Sequence, residues 1–393
     1  MSDRAGKYVQ QPAHYAAFVP APLPPKPAIN WDDELHYLLS KADRALGRLD
    51  GSIQTLPDPD LFVMMYVRKE AVLSSQIEGT QSSLNDLLEL EASIADARRP
   101  ADVGEVVNYV GAMNYGLERL KDLPLSSRLI REIHAKLLDG VRGRHLDPGE
   151  IRRTQNWIGA QGCMINEATF VPPPPQEVEE HLSNLERFIH SKENIPPLVK
   201  IGLIHAQFET IHPFLDGNGR IGRLLITFLL CESEILIRPV LYLSYYFKRH
   251  RTRYYELLQA VRDEGAWEGW IKFFLEGVAN VSLEATNTAR SIVNLREGHR
   301  QVIIQHFGRG AGNALKVLED LYRTPFTTIT SVRKLLDITF PPASALIDKM
   351  VDHDMLVEVT GQDRYRVYQY RPYVRLFSDP TQTGGVQQPE LLA

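Results

Sequence analysis

Apolar residues recur at three- and four-residue steps over most of the chain, and this pattern limits the possible fold more strongly than any other. From Trp31 to Gly51 the leucines fall on one face of a helix, and Gly51 is a stop signal. The same spacing predicts further helices over about 58–79, 103–122, 126–139, 176–192 and, as several helices, 197–306. A mainly α fold is therefore expected.

Residues 150–175 depart from this pattern. β-Branched and aromatic residues alternate there with Gly159, Gly162 and Asn166, and the stretch ends in four prolines, Pro172 to Pro175. This composition predicts a short β-hairpin, with a surface β-loop as the alternative.

Both ends of the chain differ from its middle. Prolines within 19–28 predict an extended arm with regular structure only after it, and glycines within 308–312 predict a linker. Helical patterns, then two short strands around Gly361, resemble a winged helix-turn-helix. The predicted segments are an arm (1–30), a helical N-terminal region (31–100), a helical core (101–300), a winged-helix-like domain (312–377) and a disordered tail (378–393).

Composition narrows the class of protein. The 393 residues carry a formal net charge of −5, so the chain has no general attraction for nucleic acid or an anionic membrane. Cys163 and Cys231 are too few for a disulfide framework and form no zinc motif. The first residues are polar rather than a signal peptide, and no apolar run is long enough to span a membrane. We expect a cytoplasmic protein.

The chemistry is concentrated in residues 212–223, which read HPFLDGNGRIGR. Gly217, Gly219 and Gly222 also match the dinucleotide-binding pattern GxGxxG, but that pattern must follow a strand. The residues upstream of this segment, from Leu198 to Ile211, have helical spacing instead, and an apolar stripe restarts after Arg223. The segment is therefore predicted to be a tight polar loop between two helices.

Such a loop is suited to binding phosphate. Gly217 and Gly219 allow main-chain N–H groups to turn inward at the start of the second helix, where its dipole also favours an anion. Arg220 and Arg223 add guanidinium groups on the first turn. Asp216 would be unfavourable beside phosphate without a divalent cation, so Mg²⁺ is implied. His212 titrates near neutrality and is suited to accept a proton from a hydroxyl.

Residues 212–223 resemble the signature of the Fic family, HxFx(D/E)GNGRxxR, at every specified position. The resemblance extends over about residues 20–290 and makes 31–100 the Fic N-terminal region and 101–300 the catalytic core. It implies a protein adenylyltransferase that uses ATP and Mg²⁺ to place AMP on a Tyr, Thr or Ser hydroxyl. Doc-type kinases have lysine at the position of Gly219, and phosphocholine-transferring members depart at Gly217; neither change is present here.

The resemblance also implies roles for individual residues. His212 would be the base and Asp216 the Mg²⁺ ligand. Arg223 would contact the γ-phosphate, with Arg220 in support. The phosphate cradle would comprise Gly217, Asn218, Gly219 and Gly222.

The segment Ser74 to Gly79, SSQIEG, matches the family's inhibitory pattern (S/T)xxxE(G/N). Glu78 could pair with Arg223 and take the place of the γ-phosphate. The sequence therefore predicts autoinhibition.

Two further features resemble parts of a Fic site. Residues 168–171, Ala168, Thr169, Phe170 and Val171, resemble the flap that aligns a target chain by strand addition. Tyr254 and Tyr255 resemble the tyrosines that border the adenine pocket, with ordinary helix packing as the alternative.

A DNA-binding transcriptional regulator with a nucleotide-sensing Fic core is the alternative function. In residues 312–377, however, nine Lys and Arg face eight Asp and Glu, without the basic face that DNA binding requires. A target-binding or dimerising role for this domain is therefore expected. A catalytically silent scaffold is disfavoured because the motif is complete. The expected partners are ATP and a protein with an exposed hydroxyl, which includes the chain itself or a second copy of it.

Overall fold

The computed structural model describes residues 4–54, 56, 59–92, 100–160 and 162–377. The predicted tail, 378–393, lies outside these residues. The chain divides into two compact units. The first comprises Met1–Gln54, Tyr66–Ser82 and Pro100–Ala285, and the second comprises Thr55–Met65, Ser83–Arg99 and Thr286–Ala393.

The described part of the chain is mainly helical, as the sequence predicts. The helices are α1 (Asp33–Gln54), α2 (Pro59–Ile77), α3 (Leu84–Glu91), α4 (Val103–Arg119), α5 (Ser127–Leu137), α6 (Val178–Ile189), α7 (Pro197–Ile211), α8 (Asn218–Glu232), α9 (Ser244–Arg249), α10 (Arg251–Glu264), α11 (Trp267–His306), α12 (Ala311–Arg323), α13 (Ile329–Leu336), α14 (Phe340–Asp352) and α15 (Arg371–Arg375). The predicted stop at Gly51 is wrong, since α1 continues to Gln54. The short helix α3 was not predicted.

Regular structure begins before the proline-rich segment, so the prediction that it starts only after residues 19–28 is wrong. Strands β1 (Gly6–Gln10) and β2 (Ala16–Pro20) form an antiparallel hairpin in which Tyr8 faces Phe18. Phe18 is buried, and its ring meets that of Tyr8 edge to face. Two five-residue strands give too short a pattern to recognise before their packing is known.

The helices α7 and α8 form the centre of the first unit. Almost every residue of α7 is buried, which agrees with a helix that is apolar on all sides. On α8, Phe228 lies so close to Gly116 of α4 that a Cβ there would overlap its ring. This close packing holds the C-terminal half of α8 against α4.

The predicted hairpin at 150–175 is reduced to one antiparallel bridge, between Ile158 and Phe170. A short 3-10 turn, Ile165–Glu167, occupies part of the connection. The prolines from Pro172 onward have no N–H to extend a strand ladder. Among the described residues, therefore, the surface β-loop alternative is closer to the structure than a regular hairpin.

The second unit contains a three-stranded antiparallel sheet of β3 (Phe326–Thr328), β4 (Val357–Glu358) and β5 (Val367–Gln369), in the order β3-β5-β4. The strands β4 and β5 lie where the sequence predicts two strands, whereas β3 was not predicted. The predicted linker is partly helical, because α12 begins at Ala311. The winged-helix assignment stays a prediction. Among the residues that the structure describes, no helix combines the length and the apolar character needed to cross a bilayer.

Candidate active site

His212, the predicted base, follows directly after α7. Its backbone is left-handed, with φ 50° and ψ 59°, which turns the chain out of the helix. Its Nδ1 lies 3.4 Å from the carbonyl oxygen of Glu209, and its own carbonyl accepts a hydrogen bond from Arg152 Nε at 2.9 Å. Burial, followed by the positive charges of Arg262 and Arg152, lowers the pKa of His212 to about 3. The imidazole is therefore neutral near pH 7 and can accept a proton on Nε2 while Nδ1 keeps its own.

The side chain of Asn218 closes the loop between α7 and α8. Its Oδ1 accepts a hydrogen bond from the N–H of Phe214, and its Nδ2 donates to the carbonyl of Phe214, both at 2.8 Å. Gly217 has φ +78°, a conformation that favours glycine. Because the amide of Asn218 is used inside the loop, the groups left for an anion are the main-chain N–H groups at the start of α8.

His134 of α5 supports this loop, a role that the sequence analysis did not predict. Its ring stacks on Phe214 with centroids 3.7 Å apart. Its Nδ1 accepts a hydrogen bond from the N–H of Gly149 at 2.8 Å, so its Nε2 carries the proton that faces the carbonyl of Asp216 at 3.0 Å. Burial lowers the pKa of His134 to about 4. This histidine is therefore neutral and holds the loop in place.

Arg220 is buried rather than exposed to a ligand. Its Nη1 donates to Oε2 of Glu105 on α4 at 2.9 Å, and only 1% of its side chain is exposed. A longer contact of 3.6 Å joins its Nη2 to Asp216. Arg220 thus ties the first turn of α8 to α4 and to the loop.

The structure brings the predicted inhibitory residues directly to Arg223. The Nε of Arg223 donates to Oγ of Ser74 at 2.8 Å, and its Nη2 donates to the Ser74 carbonyl at 3.1 Å and to Oε1 of Glu78 at 2.6 Å. Gly79 follows with φ +99°, which ends the turn after α2. On the other side, a Cβ at Gly219 would overlap the Glu78 carboxylate. Glu78 therefore lies against both the guanidinium and the start of α8.

The ion pair changes the proton affinity of both partners. Burial acts to raise the pKa of Glu78, but the charge and the hydrogen bond of Arg223, together with the charge of Arg220, lower the pKa below its ordinary value. Burial also acts against the charged form of Arg223, yet the Glu78 carboxylate and other acidic groups nearby together raise the pKa of Arg223 above its ordinary value. Both groups are therefore charged near neutral pH.

Asp216 lies in the loop between α7 and α8, and 32% of its side chain is exposed. Its Oδ1 accepts a hydrogen bond from the N–H of Gly217 at 2.7 Å. In the described residues no cluster of three or more His, Cys, Asp or Glu side chains could hold a metal by itself. Asp216 is thus a single carboxylate at the place where phosphate is predicted.

The predicted flap carries the one bridge at Phe170, whose N–H and carbonyl both pair with Ile158. In a strand, the main-chain N–H and carbonyl groups of neighbouring residues point to opposite sides. The main-chain groups of Thr169 and Val171 therefore point away from Ile158. The carbonyl of Val171 already accepts a hydrogen bond from the N–H of Phe18 in β2, at 2.8 Å. The N-terminal hairpin therefore covers part of the flap edge, a contact that the sequence did not predict.

The two tyrosines differ in their surroundings. Tyr254 is buried, and its hydroxyl lies 2.9 Å from Nε2 of His205, whose Nδ1 faces the carbonyl of Gly222. Tyr255 is 40% exposed, with the Arg251 guanidinium 5.5 Å from its ring centroid. Tyr254 thus packs in the core, as the alternative interpretation requires, and Tyr255 remains accessible.

Two protein-family models match this chain. Residues 36–118 match the model of the Fic/DOC family N-terminal region, and residues 124–230 match the model of the Fic/DOC family itself. The chain contains a Fic domain.

Curated relatives of this Fic domain include two mosquito proteins named protein adenylyltransferase Fic. The Aedes aegypti protein is 30% identical over 257 residues, which cover 62% of this chain and 47% of that protein. The Culex quinquefasciatus protein is 30% identical over 210 residues, which cover 51% of this chain and 38% of that protein. The chain therefore spans less than half the length of these relatives.

Solved structures show the same fold. A Fic family protein from Desulfovibrio desulfuricans G20 has a TM-score of 0.57 and 16% identity, covering 92% of this chain and 99% of that chain. A Fic domain containing signaling protein from Bacteroides thetaiotaomicron has a TM-score of 0.50 and 19% identity, covering 65% of this chain and 95% of that chain. At these identities the similarity concerns the fold alone.

Within the Fic domain the structure adds Glu209, which the sequence analysis did not single out. Its side chain lies against Gly222, where a Cβ would overlap its Oε1. That buried oxygen has no hydrogen-bond partner in the part of the chain that the structure describes. Burial raises the pKa of Glu209 to about 7, although the nearby charge of Arg223 acts to lower it. Gly222 therefore allows α7 and α8 to approach closely and does not face the loop.

Proposed function

We propose that this chain is a protein adenylyltransferase that transfers AMP from ATP to a hydroxyl of a target protein or of itself, and that Glu78 inhibits it. The observation that carries the proposal is the juxtaposition of Arg223, Glu78 and the glycine-lined start of α8, which lies next to the neutral base His212. The names of the curated relatives support the same reaction.

In the proposed reaction His212 accepts the proton of the target hydroxyl on Nε2. The hydroxyl oxygen attacks the α-phosphorus of ATP, and pyrophosphate leaves as the bond to the β-phosphate oxygen breaks. The main-chain N–H groups at the start of α8 stabilise the negative charge that develops on the phosphate oxygens. Arg220 acts indirectly, because its ion pair with Glu105 fixes the first turn of α8.

The residues present fit a magnesium ion that enters together with ATP. Mg²⁺ is commonly bound through one or two carboxylates plus substrate phosphates, rather than by a complete protein cage. Asp216 provides one partly exposed carboxylate beside the predicted phosphate position. When bound, the ion would neutralise phosphate charge, and Asp216 would hold it.

The proposed inhibition follows from competition for one guanidinium. The γ-phosphate of ATP requires Arg223, and in this structure Nη2 of Arg223 already donates to Glu78. A second anion at that position would meet the Glu78 carboxylate, which lies against Gly219. ATP would therefore bind without a productive arrangement of its phosphates until Glu78 moves away.

We propose that the target chain aligns on the flap, residues 168–171. The N–H of Phe18 already donates a hydrogen bond to the carbonyl of Val171. A target strand would therefore pair with the main chain of Thr169 and continue toward Ala168. Arg262 supports this edge, because its guanidinium lies 3.7 Å from the ring centroid of Phe170. Tyr255 is accessible and interacts electrostatically with Glu78 and Arg223, so it is the better candidate for an adenine contact.

The proposal is tested by incubating wild type, Glu78→Gly and Glu78→Gly/His212→Ala with α-labelled ATP and Mg²⁺, alone and with a cell lysate. We expect strong protein labelling by Glu78→Gly and a loss on the order of 10²-fold or more in the double variant, because the base is removed. Glu78→Gly/Asp216→Ala should lose activity as well. Absence of label from every variant that still binds ATP would rule out the transferase, and equal labelling by wild type and Glu78→Gly would rule out the inhibition.

A further inference from the structure

Three polar residues follow one another at four-residue steps along α2 and the turn after it: Glu70, Ser74 and Glu78. This spacing places them on one face of the helix, a turn apart. Ser74 and Glu78 both accept hydrogen bonds from Arg223. Glu70 is the third member of this row, and neither the proposed reaction nor the proposed inhibition has used it.

Glu70 is buried, with 3% of its surface exposed. Its carboxylate accepts hydrogen bonds from the hydroxyl of Ser244, from the N–H of Ser244 at 3.1 Å and from the hydroxyl of Tyr109 at 3.3 Å. Ser244 is the first residue of α9, and Tyr109 lies in α4. One side chain thus connects α2 to two other helices of the first unit.

These contacts reach Arg223 through α2. The hydroxyl of Tyr109 also interacts with Ser74, whose Oγ and carbonyl both bind the Arg223 guanidinium. The ionised carboxyl offers two acceptor oxygens to these three donors, whereas an amide replaces one of these oxygens with a donor. Burial raises the pKa of Glu70 to about 7, so labelling is compared above that pH, where the carboxylate predominates. An amide at position 70 would therefore weaken the connection while keeping the size of the side chain.

Other contacts of α2 are placed differently. Gln76 accepts a hydrogen bond from Lys248 at 2.6 Å, and Lys69 reaches Glu284 at 3.4 Å. Neither of these lies in the row that faces Arg223. Tyr66 lies one turn before Glu70 in the same row and donates a hydrogen bond to the carbonyl of Ala285 at 2.9 Å. Glu70 is the member of the row that lies next to Ser74 and whose contacts reach α4 and α9.

We propose that Glu70 is a positioning residue for autoinhibition: by holding α2 against α4 and α9, it keeps Glu78 on Arg223. This inference rests on the proposed function. Without the Glu70 connection α2 can shift or rotate, the Glu78 carboxylate spends less time on the guanidinium, and ATP takes its productive arrangement more often.

The test compares wild type, Glu70→Gln, Glu78→Gly and Glu70→Gln/Glu78→Gly in labelling with α-labelled ATP and Mg²⁺, on the protein itself and on lysate proteins. We expect Glu70→Gln to label protein about threefold to tenfold more than wild type, because this is the effect of losing one buried hydrogen bond. In the Glu78→Gly background the Glu70 substitution should add no further activity, because the group that it positions is already absent.

The matched control is Glu186→Gln. Glu186 also accepts hydrogen bonds from the N–H and hydroxyl of one serine, Ser127, at 2.8 and 2.7 Å, but it does not touch α2. The Glu186→Gln substitution should therefore leave labelling at the wild-type level. Thermal unfolding of every variant checks that the fold is kept, and if Glu70→Gln does not fold, Tyr109→Phe removes one of the same hydrogen bonds and should raise labelling in the same direction.

The outcomes separate the two proposals. If Glu78→Gly gives no label, the transferase proposal fails. If Glu78→Gly is active but folded Glu70→Gln labels no more than wild type, the role of Glu70 is wrong. An equal rise for Glu70→Gln in both backgrounds would also overturn it, since Glu70 would then act on the reaction rather than on Glu78.

Discussion

Three histidines of the first unit show how surroundings decide what one residue type does. His134 and His205 each have both ring nitrogens opposite fixed partners, and they support the loop and the core. His212 has one weak partner, at Nδ1. Burial lowers the pKa of all three, so protonation alone does not distinguish them. The hydrogen bonds of the described residues leave Nε2 of His212 available, which supports our proposal that His212 is the base.

The burial of Glu209 predicts how the free energy of unfolding of this protein depends on pH. Burial raises its pKa in the folded protein to about 7, above the unfolded value, so the folded state binds the proton more tightly. The contribution of Glu209 to the free energy of unfolding is fully present below the pKa that this carboxyl has in the unfolded chain, and it is lost as the pH rises through about 7. We expect Glu209→Gln to gain stability relative to wild type by on the order of 1–3 kcal/mol between about pH 5 and about pH 8.

The measurement is urea unfolding of both proteins at several pH values. The difference in unfolding free energy between Glu209→Gln and wild type should be flat above about pH 8 and should change mainly between about pH 5 and 7. A difference that does not vary with pH would show that Glu209 ionises normally in the folded protein.

At the scale of elements, the approach of α8 to its neighbours depends on glycines with different surroundings. A Cβ at Gly222 would overlap the buried Glu209 and come within 3.3 Å of His205. A Cβ at Gly219 would overlap Glu78, but 31% of the Glu78 side chain is exposed and its carboxylate is the end of a flexible chain. The two positions therefore differ in how easily the neighbour can move.

We expect Gly222→Ala to destabilise the protein by about 1–3 kcal/mol, because α7 and α8 must separate, and Gly219→Ala to cost clearly less. Urea unfolding of the two alanine variants beside wild type measures this. Equal losses, or a larger loss for Gly219→Ala, would show that contact with Glu78 is as rigid as the packing between the helices.

At the scale of the whole chain, the alternative function that the sequence leaves open, DNA binding, concerns the second unit. Its described residues include two exposed apolar side chains, Phe340 at 53% and Tyr365 at 90%. Residues 312–377 have nearly balanced charge. Binding to the target or to a second copy of the chain stays our prediction for this unit.

The prediction is that the full chain gives no salt-sensitive gel shift with random duplex DNA. A protein that neutralises several phosphates loses affinity steeply as salt rises, so the assay compares low and moderate salt. A shift at low salt that disappears as salt increases would revive the regulator interpretation, and removal of residues 312–377 would then locate the binding.

The sequence by itself determined the helical class and the composition of the site. Helical periodicity is local, so α4 to α8 appear within a few residues of their predicted positions. The motif from His212 to Arg223 and the pattern from Ser74 to Gly79 are also contiguous. The residue types of the first segment predict a phosphate site and a base, and the resemblance of the second segment to the Fic inhibitory pattern predicts an inhibitory carboxylate.

The pairing of Glu78 with Arg223 follows from the family pattern, but only the tertiary structure decided which other residues hold the site. The contacts of Arg220 with Glu105 and of Phe18 with Val171 each join residues far apart in sequence. Burial of Glu70, His134 and Glu209, and therefore their altered proton affinity, likewise depends on neighbours from other elements. Packing and desolvation are properties of the assembled core, and a local pattern of residue types does not specify them.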